Sequence, residues 1–462
     1  MIPLLVALAL PALPAVAAVR VGWPVPRLGR ADRALLVCWG AGGGLGLASC
    51  ALFLWFPLIG HPASGYVTAE VLTLLALAAL VFRRVARLPA PAGPVLVTNP
   101  PPSALAAKLW IPFAVLAALA VRHVLSYYAV EPHGYWDAIA FWNTRARCLY
   151  RGGGAWRDAF STLHDHPDYP LFLPATVTRC WLYAGEDTTG PIAVALLTAA
   201  LTAGVLVAGL NLLRGGGQGW LAGAALLGPP LYAGTVGIQY ADVPLGYFFV
   251  AAAAAFVAYD HTGRTGRLFP TLAGGFAALA AWTKNEGVLF LAAVPAARLA
   301  AALVGPGVRS FVRELRWFAL GALPAGLTLL YFKLAFAPPN DLLSAERPST
   351  VGLLTDWKRH ETILRTFGAM AWAHGRFVLP VLLAYALLAG RAPAGRRPPG
   401  APAAVALLAL MAAGYYLAYL TTPHDLVWHI GTSMERLVIQ LWPLALLCYF
   451  LAVATPDEAR GK

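Results

Sequence analysis

Charge is what this chain has least of. Asp, Glu, Lys and Arg make up 12% of its 462 residues, about half the share carried by a soluble domain, so an enzyme with an all-round solvated surface is excluded. Cysteine is sparse as well. Cys38, Cys50, Cys148, Cys180 and Cys448 are scattered, mostly inside apolar stretches and without CxxC or zinc-like spacing. They read as small core residues rather than a disulfide or thiolate framework. No Walker loop and no GxGxxG cradle occurs, and the glycine runs Gly42–Gly44 and Gly215–Gly217 lack the strand-then-helix context a phosphate loop needs. ATP-driven transport and nucleotide-sugar chemistry on a soluble domain are disfavoured on that ground.

What is abundant is hydrocarbon. The chain is 59% apolar with a mean hydropathy of +0.66, and apolar windows near the roughly 20 residues that cross a bilayer recur from end to end. This implies an all-α polytopic membrane protein rather than a globular domain on an anchor. The formal net charge of +13 does not point to nucleic acid, because most of it is Arg in short loops between apolar windows, as expected on the cytoplasmic side. Counting windows gives about 13 spans. The window at residues 2–18 lacks the basic leading region of a secretory signal and is counted as a span. The short window at residues 171–184, interrupted by Pro174 and Arg179, is taken to lie in or dip into the interface. With that choice, each strongly basic short loop falls on one face and each loop bearing acids and histidines on the other. Residues 1–88 form an N-terminal transmembrane group, 89–102 a Pro-rich linker and 103–462 the larger unit. External loops cover 131–170 and 337–370; the second, with Asp341, Glu346, Asp356, Lys358 and Arg359, holds no legible motif.

The stretch Glu131–Pro170 is the longest polar interval. It carries Glu131, Asp137, Asp158, Asp165 and Asp168, with His133, His164, His166 and eight aromatic residues from Tyr135 to Tyr169. Such a mixture between apolar spans marks a water-facing site at a membrane surface. Asp137 heads the helical-looking run WDAIAFWNTRAR, where Arg145 falls eight residues on and so on the same helix face. It is suited to accept a proton or orient a hydroxyl, or it is simply an acid near a helix N-terminus. Asp242, in QYADVPLGYFF, stands where one span turns into the next; an ionisable group there must face water or a partner, or it caps the following helix. Lys284 and Glu286, in WTKNEG, are either a surface ion pair of little energetic worth or a phosphate-holding point charge with its neighbour. In HDHPDYP, His164, His166 and Asp168 have the chemistry to hold zinc or manganese, although H-x-H alone is a weak signal and a hydrogen-bonded loop or a direct phosphate contact fits as well. Arg436 begins a span, where it snorkels toward head groups or grips a phosphate with two donors.

Taken in order, YWDAIAFW, HPDYPLFLP, ADVPLGYFF, WTKNEG and MERLVIQLWP make the chain resemble the GT-C superfamily of membrane glycosyltransferases, in the branch of protein O-mannosyltransferases and lipid A aminoarabinose transferases. These segments run from Tyr135 to Pro443, about two-thirds of the chain. The resemblance implies a helical bundle whose first external loop holds juxtamembrane helices and the catalytic acid. It also implies a polyprenyl-phosphate sugar as donor, an optional divalent cation, and a glycan, lipid or protein acceptor met on the outer face of the bacterial plasma membrane. By that resemblance Asp137 is the catalytic carboxylate, Asp242 the assisting second acid, Lys284 the cation near the donor phosphate and Arg436 the late basic residue. Trp136, Arg145, His166, Tyr169 and Glu286 stand beside them as substrate contacts. HDHPDYP departs from the acid–lysine or His-Tyr-Pro variants of relatives, and the three N-terminal spans are unlike the minimal layout. Sugar transfer passes through an oxocarbenium-like state in which the acceptor hydroxyl turns acidic, so a weak carboxylate base such as Asp137 suffices and in-line attack inverts the anomeric centre. The rival readings are a transporter or lipid flippase, which would carry ionisable groups near mid-span on paired broken helices, a polysaccharide ligase or polymerase, and a non-catalytic scaffold, the last requiring Asp137 and Asp242 to lie far apart.

Overall fold

The computed structural model describes residues 1–25, 27–60, 64–88, 96, 101–340 and 350–460. Among these the secondary structure is helical, with one isolated bridge between Arg391 and Val453 and no strand. Most of the Pro-rich linker, and Asp341 and Glu346 of the loop at 337–370, lie outside the described residues.

Ten helices are long and apolar enough to cross a bilayer, from Ile2–Gly22 to Leu426–Ala452, and up to eleven if the bent pair Trp357–Gly375 and Val378–Ala389 is one span. The expected count of about 13 is reached only by adding two further segments. One is the window at 219–238, which breaks into Gln218–Leu227 and Pro230–Gly237. Pro230 has no amide to donate, and its ring excludes a continuous ladder. The other is Leu268–Thr283, 16 residues long, which is sheltered by protein rather than lipid for most of its length.

Polar contacts sort the helix ends into two groups. At one end Arg214 bonds Glu458 at 2.7 Å and the Arg396 carbonyl, Ser103 meets Asp457, and Arg298 holds Asp260 and Glu314. The Arg-rich loops belong here. At the other end lie Asp137, Asp168, Asp242, Glu286 and their partners. The chain alternates between the two ends in the order that its basic and acidic loops imply. The segment Phe172–Ala184 leaves from beside Asp168 and ends beside Glu186, which pairs with Arg147 of the same acid-bearing end. It therefore returns to the side it started from. Phe172 to Trp181 are all buried in the protein.

The N-terminal helices pack into the same core as the rest. Tyr247 donates to the Cys38 carbonyl, Trp282 to the Ser49 hydroxyl, and Phe53 sits among Trp282, Phe332 and Phe336. Glu70 receives the Arg179 guanidinium at 2.7 Å and hydroxyls from Tyr66 and Tyr183. A buried pair of this kind fixes one arrangement, because separating its members would strand a charge out of water.

Cysteines placed at Arg264 and at Asp356 should react with an impermeant thiol reagent from opposite sides of the membrane. Labelling of both from one side would contradict this arrangement of helix ends.

Candidate active site

The loop at 131–170 is short of regular structure until Asp137, then turns through a π-helical segment, Ala138–Trp142, into the helix Asn143–Arg151. It is pinned to the turn that precedes Asp242. The Tyr135 amide donates to the Ile238 carbonyl, Asn143 bridges the His133 carbonyl and the Gln239 side chain, and Gln239 returns a bond to the Pro132 carbonyl. The Tyr240 hydroxyl accepts the Asp137 amide at 3.3 Å. Two acids more than a hundred residues apart in sequence are thereby brought to one place.

Asp137 forms an ion pair with Arg436 of the long helix Leu426–Ala452. Asp242, 1% exposed, accepts from Lys284 at 3.0 Å and from the Gln440 amide at 2.6 Å. Lys284, 3% exposed, also reaches Glu286 at 2.8 Å. Gln440 sits one helical turn beyond Arg436 and in turn accepts the Tyr415 hydroxyl at 2.5 Å. Gly287 lets this turn close: a Cβ there would strike the Ala280 carbonyl. Three carboxylates thus share two cations, and Glu286 Oε2 and Arg436 Nε remain buried without a hydrogen-bond partner. Burial raises the Asp137 carboxyl above its ordinary value, and the charges of Arg436 and Lys284 only partly offset it. Burial works against the Lys284 charge too, but Asp242 and Glu286 outweigh it and hold its proton more tightly than usual.

Beside this cluster opens a cavity of about 770 Å³. Lys284, Glu286, Arg436, His166 and Tyr169 line it, with Lys333, His424 and His429 on further walls. Its other side is apolar: Val288 and Leu289 face Gly414 and Ala418, and Val288 and Leu289 are also exposed on the outside of the bundle.

Several expected residues stand elsewhere. Arg145 does not share a face with Asp137, because the π-helical turn between them shifts the register. It is 0% exposed, and its donors go to the carbonyls of Ala159, Tyr169 and Pro167. The arginine beside Asp137 is Arg436. Trp136 is exposed and is not among the residues lining the cavity. His166, at φ 48°, stacks on Tyr169 with ring centroids 4.6 Å apart. Asp168 accepts from Asn285 at 2.7 Å and Asn340 at 2.8 Å, with Lys333 at 3.7 Å, while His164 lies against Cys148. His164, His166 and Asp168 do not converge, and no group of three or more His, Cys, Asp or Glu among the described residues is placed to hold a metal ion. Gln440, Tyr415, Asn285, Asn340 and Lys333 escaped the sequence reading. Asn285 and Gln440 fall inside the quoted segments WTKNEG and MERLVIQLWP, where charged neighbours drew the attention, while Tyr415 and Lys333 are single polar residues in apolar runs.

No family model and no curated protein matches the chain. Among solved structures it is similar to the crystal structure of ArnT from Cupriavidus metallidurans bound to undecaprenyl phosphate, at 15% identity and a TM-score of 0.49, over 74% of this chain and 60% of that one. The chain spans less than two thirds of that protein's length, and so slight a likeness carries no activity across. The side chains must do so.

Because the folded protein binds the Asp137 proton more tightly than the unfolded chain, this group's contribution to stability is present below the unfolded pKa and is lost as pH rises through the folded one. Arg436→Gln removes the larger of the opposing charges, so the Asp137 carboxyl, followed by its infrared stretch against an Asp137→Asn control, should titrate at higher pH than in the wild type. An unchanged or lower titration point would refute the assigned balance.

Proposed function

We propose that the chain is a membrane glycosyltransferase of the GT-C type that moves a sugar from a polyprenyl-phosphate donor to an acceptor on the extracytoplasmic face. The observation that carries this reading is the Asp137–Arg436 pair beside a cavity with Lys284 in its wall and an apolar side toward the lipid. A donor of this class has three parts: a long hydrocarbon tail, an anionic phosphate and a polar sugar. The apolar wall suits the first, Lys284 and Arg436 the second, and the space bounded by His166, Tyr169 and His429 the third.

The chemistry follows from competition for Arg436. Without donor, Asp137 is its partner. A donor phosphate is a second anion for the same guanidinium, and its planar fork matches two phosphate oxygens. As the phosphate draws on that charge, the influence of burial on Asp137 is less opposed and the carboxylate becomes the better base. The acceptor oxygen attacks the anomeric carbon from the face opposite the phosphate. The new C–O bond forms as the bond to the phosphate oxygen breaks, the hydroxyl proton passes to Asp137, and polyprenyl phosphate leaves with its charge met by Lys284 and Arg436. A single displacement inverts the anomeric centre. Asp242 stays out of the bond changes and orients Lys284, through the 3.0 Å contact.

The transporter reading finds less support. Its mark would be ionisable groups near mid-span on broken helices, whereas Asp260, Arg298 and Glu314 sit near their helix ends and satisfy one another. At the other end Glu286, with Lys284 and Arg436, lines a cavity, and Asp137 and Asp242 are paired to those two cations.

With a panel of polyprenyl-phosphate sugars, Asp137→Asn should lose roughly the 10²- to 10⁴-fold that a general base contributes while donor binding, read by thermal stabilisation, is retained. Transfer at the wild-type rate by the Asn variant would remove Asp137 from the mechanism.

A further inference from the structure

A second cavity, of about 680 Å³, shares no lining residue with the one beside the charged cluster. The helix Trp110–Val130 forms one wall, the helices Arg30–Leu58 and Thr189–Leu213 the other, and the broken pair Gln218–Leu227 and Pro230–Gly237 the floor. Trp110–Val130 packs chiefly on that broken pair and leaves its remaining faces outward: Val115, Leu119 and Leu125 are all exposed. Where its inner face meets the opposite wall the side chains are small, among them Ala117, Ala120, Ala200 and Ala203. Small residues facing one another across two helices normally let the backbones close up. Here they bound a slot instead.

The slot lies within the hydrocarbon layer, where its neighbours offer almost no polar group to water, so water is a poor filler. Along the helix Thr189–Leu213 its lining runs from Leu196 to Asn211, about 22 Å at about 1.5 Å per residue, the length of an extended hydrocarbon chain. It is not closed at the basic end. There Arg30 lines the slot, is itself exposed, and makes no side-chain hydrogen bond or ion pair among the described residues. Arg27 and Arg33 are exposed nearby in sequence. A groove sized for one chain with a free guanidinium at its mouth has the charge complement of a lipid with an anionic head.

We propose that this slot binds one chain of an anionic phospholipid from the leaflet at the basic end, with its phosphate at Arg30. The site is separate from the cavity beside Asp137 and does not depend on the chain being a transferase. Such a lipid would replace the side-chain packing that the helix Trp110–Val130 lacks, and this helix delivers the loop that carries Asp137.

The test is native mass spectrometry of the purified full chain after exchange into micelles containing phosphatidylglycerol or phosphatidylcholine of matched acyl chains. The wild type should retain one phosphatidylglycerol, in clear preference to phosphatidylcholine. Ala117→Trp, which fills the slot from the outer helix, should lower that retention at least tenfold, whereas Val115→Trp, on the outward face of the same helix, should leave it unchanged. Arg30→Gln should bring the two lipids to equal retention. The proposal is overturned if Ala117→Trp retains the lipid as the wild type does, if both Trp variants lose it alike, or if the preference for the anionic head is absent in the wild type or survives Arg30→Gln.

Discussion

Lys284 lies out of water between Asp242 and Glu286, and much of the acid-bearing end is arranged around that fact. An ammonium withdrawn from solvent is tolerable only with close counter-charges and further hydrogen bonds. Meeting this need draws together three separate pieces of chain: the turn into the helix Asp242–His261, the turn WTKNEG, and the middle of Leu426–Ala452, which supplies Gln440. Gln440 is oriented by Tyr415 from yet another helix. Removing Lys284 would leave the buried Asp242 without its cation, so the cluster holds the helix ends in one register. Arg436, one turn before Gln440, is set by the same constraint, and Asp137 finds its partner there.

A site built this way is rigid on its charged side and open on its apolar side. One donor of the cations is unspent: although three carboxylates share Lys284 and Arg436, Arg436 Nε has no acceptor. On the proposed reading, an incoming phosphate takes up that spare donor and displaces Asp137 from Arg436, so a new anion redistributes existing bonds rather than creating a charge in an apolar place. The loop knot HDHPDYP takes part as scaffold. Asp168 is held by Asn285, Asn340 and Lys333, which sets Tyr169 against the cavity within cation–π range of Lys284, at 5.7 Å.

Much of this was legible in the residues alone, for physical reasons that can be named. Arginines in short loops and acids in the others reveal which helix ends lie together, because both follow from the cost of crossing a bilayer with charge. The four charged residues Asp137, Asp242, Lys284 and Arg436 stood out as ionisable groups at the edges of apolar spans, and they do meet. What escaped was local geometry. Arg145 was placed beside Asp137 by counting in steps of an α-helix, and one π-helical turn sends it into the core. The window at 219–238 looks continuous in hydropathy, which is blind to the break that Pro229 and Pro230 impose. The Arg179 that interrupts the short segment Phe172–Ala184 is answered by Glu70 from a helix more than a hundred residues earlier. Contacts of that range leave no periodic signal.

The account stands or falls on whether the cavity recognises a phosphate carried on a prenyl chain. The direct measurement is calorimetric titration of the purified protein in a mild detergent with a polyprenyl phosphate and, separately, with the polyprenol of the same length. Recognition by Lys284 and Arg436 predicts saturable binding of the phosphate at least tenfold tighter than the alcohol, about 1.4 kcal/mol or more, with the difference shrinking as salt is raised. Equal affinity for the two would mean that the tail alone is bound, and would contradict the central claim.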